Sequence, residues 1–116
     1  MALTVKTKNA KALLSAIKKA IDDKTIDTWT YDSDGDFTHS PEQWKNKAWF
    51  KPATILKPDE LRFGLYGQNE INTTVLVYAV YHGRFAEMLL NHFDKDITEI
   101  TTSSMPTFID NITTGK

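Results

Sequence analysis

Trp29-Thr30-Tyr31-Asp32-Ser33-Asp34-Gly35-Asp36-Phe37-Thr38-His39 is the stretch on which the fold turns. It holds two short aromatic runs around a cluster of turn residues, which is the pattern of a β-hairpin. A two-residue turn at Asp34-Gly35 would set Trp29 and Tyr31 on the face opposite to Phe37 and His39. A three-residue loop, Ser33-Asp34-Gly35, instead pairs Tyr31 with Phe37 and Trp29 with His39, and puts all four rings on one side. Burial of one face is what fixes register, so the second arrangement is the one expected. It also suits the turn chemistry, with Asp32 opening a type I turn and Gly35 in the left-handed bulge position.

Upstream, Leu13, Leu14, Ile17, Ala20 and Ile21 form one stripe of an amphipathic helix that Thr7 or Asn9 can cap, and Leu3 to Lys6 alternates as a short strand. Downstream, Ser40-Pro41-Glu42-Gln43 carries a cap, a first-turn proline and a reciprocal glutamine, which predicts a short helix. Trp49 to Pro52 and Leu61 to Tyr66 read as strands, separated by a turn at Lys57-Pro58-Asp59-Glu60. Thr74 to Tyr81 is apolar on both sides of a period of two, which predicts a central strand covered on both faces. Gly83 then breaks it, and Phe85, Met88, Leu89 and Phe93 line a helix ending near Asp94, before a strand from Ile97 to Thr102.

Strands that follow one another without long crossovers predict an α+β class: one domain over 1–116, mostly antiparallel, with an N-terminal and a C-terminal-half amphipathic helix packed on the sheet. The tail over 103–116 holds Phe108, Ile109 and Ile112, and is expected to dock or partly fray.

The chain has 116 residues, 14 Lys+Arg against 15 Asp+Glu, and a formal net charge of −1. That balance is globular and argues against a general nucleic-acid binder. Cysteine is absent, which excludes disulfides and thiolate chemistry. No apolar run is long enough to span a membrane, and no signal-peptide core precedes the first lysine, so a cytoplasmic location is expected.

Chemistry-bearing patterns are few. Asp32, Asp34 and Asp36 match the first ligand positions of a calcium loop, but Phe37 stands where its glycine belongs and Gln43 where its bidentate glutamate belongs, so no metal is expected. The histidines lack ligand spacing, and no nucleophile elbow, phosphate loop or dinucleotide fingerprint occurs, so no cofactor is expected. At Tyr81-His82-Gly83-Arg84 a strand feeding a helix would aim free amides outward, so His82, Gly83 and Arg84 are a candidate anion site. The plainer alternative is that Gly83 allows a turn while Arg84 pairs with Glu87.

Trp44 and Trp49 lie among Lys45, Lys47 and Lys51, a mixture that anchors protein partners or stacks on bases. Acidic residues from Asp22 to Asp36 are opposed in that span only by Lys24, a one-sign patch suited to steering a basic partner. The leading expectation is therefore a small non-enzymatic protein-binding module, an inhibitor, immunity-type or regulatory partner of a basic protein, docking through Asp32, Asp34, Asp36, Trp44 and Trp49. The alternative is a metal-independent phosphoryl-transfer or RNA-cleaving enzyme, with His39 and His82 as the acid–base pair and Arg84 on the phosphate.

Overall fold

A computed structural model describes residues 2–53, 57–105 and 110. In chain order the elements are β1 (Ala2–Thr7), α1 (Ala10–Asp22), β2 (Trp29–Tyr31), β3 (Phe37–His39), β4 (Ala48–Pro52), β5 (Glu60–Gly67), α2 (Val75–Phe93) and β6 (Ile97–Thr102). The strands form one six-stranded sheet in the order β2-β3-β4-β5-β1-β6, and every neighbouring pair is antiparallel. The α+β class expected from the sequence is the one observed.

The hairpin register is the one its turn chemistry dictates. Trp29 pairs with His39 and Tyr31 with Phe37. The Gly35 amide donates to the Asp32 carbonyl at 2.9 Å, and Gly35 sits in the left-handed region at φ +83°. Asp32 locks the loop by accepting the amides of Asp34 and Asp36 on Oδ1, each at 3.0 Å. A side chain at Gly35 would meet Lys18 Nζ at 3.2 Å as well as the backbone strain. Gly35→Val is therefore expected to cost about 1–2 kcal/mol, read from thermal or denaturant melts. A variant as stable as the parent contradicts the left-handed bulge.

Period-two alternation decides which side of the sheet is covered. Leu3 and Val5 of β1, Phe50 of β4, and Leu61, Phe63 and Leu65 of β5 are all buried on the face that carries both helices. Helix α1 begins as its cap allows: Asn9 accepts the Ala12 amide at 3.0 Å, and Leu13 and Ile17 point into the core. Thr7, the other candidate cap, instead donates to the Asp96 carbonyl.

Two expectations are overturned. Thr74 to Tyr81 is not a central strand; it begins the 19-residue helix α2, which runs unbroken through His82, Gly83 and Arg84. The sheet has no vacancy for it, because β1 lies between β5 and β6. Ser40 to Gln43 does not start a helix either. The Trp44 and Lys45 amides both return to the Pro41 carbonyl in a single turn, which Asn46 ends at φ +61°. The Ser40 hydroxyl donates across the hairpin to the Asp27 carbonyl. The Tyr81 hydroxyl of α2 donates to the Trp44 carbonyl, and Thr38 Oγ1 accepts the Asn46 amide, so this turn is tied to both layers. Of the tail, only Ser103 to Met105 and Asp110 lie within the described residues. Asp110 accepts the Leu65 amide at 2.6 Å, while Phe108, Ile109 and Ile112 lie outside.

Candidate functional site

Helix α2 starts where Thr74, in extended backbone, accepts the Val77 amide on its hydroxyl at 3.1 Å. From there Tyr78, Tyr81, His82, Phe85, Met88, Leu89 and Phe93 recur at helical spacing and are buried. The Phe85 ring lies 4.8–5.8 Å from the rings of Trp29, Phe37, Phe50 and Phe63, at the centre of the layer between helix and sheet.

The other side of α2 is apolar too, and it faces water. Leu76, Gly83 and Leu90 are seven residues apart and share one line on the helix, with Ala79 and Ala86 between them. Val75 is 85% exposed, Leu76 63% and Leu90 57%, and Ile71 just before the helix is 54% exposed. Nothing lies within 4 Å of where a Gly83 side chain would begin. A helix apolar all round normally has both sides covered. This one has a single cover among the described residues.

A cleft of about 480 Å³ opens between α2 and the hairpin. Trp29, His39 and Trp44 line it on one side, and Arg84, Glu87 and His92 line it from the helix. The His39 ring stacks at 4.7 Å on Trp29, and its Nδ1 donates to the Thr28 carbonyl at 2.8 Å. Burial pushes the imidazole below its ordinary pKa, partly opposed by that carbonyl. The folded state thus binds this proton less readily than the unfolded chain. The stability His39 contributes is complete above about pH 6.5, the ordinary histidine value, and declines as pH falls through it toward the lower folded pKa. Melts between about pH 7.5 and 5 should show a steeper decline for the parent than for His39→Gln. Equal slopes contradict a buried neutral His39.

His82 does not join this cleft. It is 4% exposed, with its ring 5.0 Å from Phe50 and 4.7 Å from Tyr78, and its Nδ1 donates to the Tyr78 carbonyl one turn back. The expected acid–base pair of His39 and His82 is therefore not brought together in this cleft, and the second imidazole lining it is that of His92. The anion site at His82, Gly83 and Arg84 loses its basis as well. Amides in mid-helix are spent on carbonyls one turn back, so no free N–H groups or positive helix end exist there. Arg84 pairs with Glu87 at 3.3 Å instead.

The acidic tip is a scaffold with cations beside it. Lys51 Nζ lies 3.9 Å from Asp36, and Lys18 sits over the Tyr31 ring at 5.6 Å. Asp32, Asp34 and Asp36 bring their carboxylates within 4.8 Å of one another, but Asp32 already serves the turn amides. Burial raises the Asp36 pKa, and the Lys51 charge opposes the rise. Trp44 and Trp49 do not share a surface. Trp44 packs against the core on the helix side, whereas Trp49 pairs with Tyr66 on the sheet face that carries no helix.

The outward face of α2 is hidden in the sequence, because a period of two sends Leu76 and Ala79 to opposite faces of a strand. Among the described residues no helix is long and apolar enough to cross a membrane. Comparison with protein-family models, curated proteins and solved structures gives no match for the chain.

Proposed function

We propose that this chain is a non-enzymatic, cytoplasmic binding module that engages its partner through the outward face of α2. One observation carries the reading: four of the five large apolar side chains that stand exposed among the described residues, Ile71, Val75, Leu76 and Leu90, lie on α2 or in the loop leading into it. Apolar patches of this kind on a soluble chain mark contact surfaces. The acidic tip, offset by Lys18 and Lys51, retains a steering role without being the docking surface.

A photoreactive residue placed inside cells at Leu76, Leu90 or Asp34 tests this. Adducts from positions 76 and 90, and none from 34, are expected. Adducts from position 34 alone return the contact to the hairpin tip.

One observation favours a second reading: His39, Arg84 and His92 line the same cleft. In that reading the chain cleaves phosphodiesters, with neutral His39 as base, His92 as acid and Arg84 on the phosphate. Purified chain acting on RNA, with activity lost in His92→Ala and in Arg84→Ala, is its signature. Activity that survives both substitutions ends it.

A further inference from the structure

We infer that the occupant of the outward α2 face is a second copy of this chain, crossing antiparallel with Gly83 on the two-fold axis. This rests on the reading of α2 as the docking surface and goes further by naming the partner.

The face is self-complementary. Measured from Gly83, the stripe reads Leu at −7, Ala at −4, Ala at +3 and Leu at +7. A two-fold axis reverses helix direction, so it sets Leu76 opposite Leu90 of the second copy and Gly83 opposite Gly83, with Ala79 about 1.5 Å, one residue, out of register with Ala86. Isologous contacts need a patch that complements itself, and leucines at equal distances on either side of Gly83 meet that need. An unrelated partner demands none.

Size agrees with the arrangement, and charge permits it. Small residues at the crossing allow an interaxial distance near the lower limit of about 8 Å. Gly83, with nothing within 4 Å of its missing side chain, occupies the point of closest approach. A glycine in mid-helix is less favourable than alanine, a loss that close packing of a second backbone accounts for. Arg84 and Glu87 lie together on one flank, which the two-fold axis preserves. Each Glu87 then comes about 7.5 Å along the axis from Arg84 of the second copy, which offsets the two Arg84 charges brought about 3 Å from each other along it. Both side chains are more than half exposed in the isolated chain and free to re-pair across the crossing. The antiparallel helix dipoles also oppose favourably.

Nineteen residues at about 1.5 Å each give a strip about 28 Å long. One helix face of that length supplies a few hundred Å² per copy, below the roughly 800 Å² of stable complexes. The dimer is therefore weak and concentration-dependent.

The absence of cysteine makes the test clean. Gly83→Cys puts its thiol in open space in the monomer and against its own copy in the dimer. Mild oxidation of the purified chain should give a disulfide-linked dimer in high yield, with little from Ser15→Cys on the exposed side of α1 as the control. Sedimentation velocity of the unmodified chain should shift from monomer toward dimer as concentration rises to hundreds of micromolar. Gly83→Glu, which melts like the parent, should stay monomeric throughout. Equal disulfide yields from positions 83 and 15, or a parent that is monomeric at every concentration, overturns the dimer. The photoreactive residue at Leu76 then separates the two readings. An adduct of twice the chain mass supports the second copy. An adduct with another protein overturns the dimer and keeps α2 as a docking surface. An adduct of unchanged mass, from this chain folding over its own helix, or no adduct, overturns both.

Discussion

Proline at position 79 should cost the fold about 3 kcal/mol or more, while proline at position 75 should cost less than about 0.5 kcal/mol. Ala79 is the fifth residue of α2 and is exposed, so no packing is lost; the cost comes from a missing amide and a ring against the preceding turn. Val75 is the first helical residue, where a proline has no intrahelical bond to break. Its predecessor Thr74 already has the extended backbone that proline imposes on the residue before it, with φ −76° and ψ 159°. A central strand would behave otherwise, since proline at either position would remove a ladder bond. Urea melts of the two variants decide between these outcomes. Equal losses at 75 and 79 contradict a helix starting at Val75.

Phe85→Ala is the second large effect, expected at about 3–5 kcal/mol. Phe85 is fully buried, and the four rings it meets come from three strands and from Trp29 at the sheet edge. No single element can collapse to fill the space its ring leaves, so the cavity term adds to the lost burial. Denaturant midpoints for Phe85→Ala and Phe85→Leu measure it, with Leu recovering part of the loss. A cost near 1 kcal/mol for alanine would mean that α2 is not seated over the strands as described.

Local chemistry explains what could be read directly from the chain. The hairpin is legible because Asp32, Gly35 and the four rings all demand one register, and a one-residue slip would expose two of them. Helix α1 is legible because its apolar stripe is narrow and Asn9 stands at its start. Residues 75–81 are not legible in the same way. A continuous apolar run satisfies a period of two and a period of 3.6 alike, and only length separates them. The deciding signal lay further on: carried backwards from Phe85, the inward stripe meets Tyr81, His82 and Tyr78. Gly83 concealed it by resembling a break, although one glycine costs a helix only about 1 kcal/mol.

The site residues followed the same logic. Arg84 pairing with Glu87 is a local helical contact and was legible. His39 and His92 meeting in one cleft depends on how α2 lies across the hairpin, which no local pattern encodes. Trp44 and Trp49 are close in sequence, yet strand alternation sends Trp49 to the face opposite Ala48 and Phe50.

Every functional statement about α2 requires that residues 75–93 form one helix, so that Leu76, Gly83 and Leu90 share a line. Backbone carbon chemical shifts across that stretch test this most directly. Helical shifts are expected without interruption from Val75 to Phe93, including His82, Gly83 and Arg84. Extended shifts over 75–81 with a break at Gly83 would contradict that helix, and would remove the outward face on which the proposed function rests.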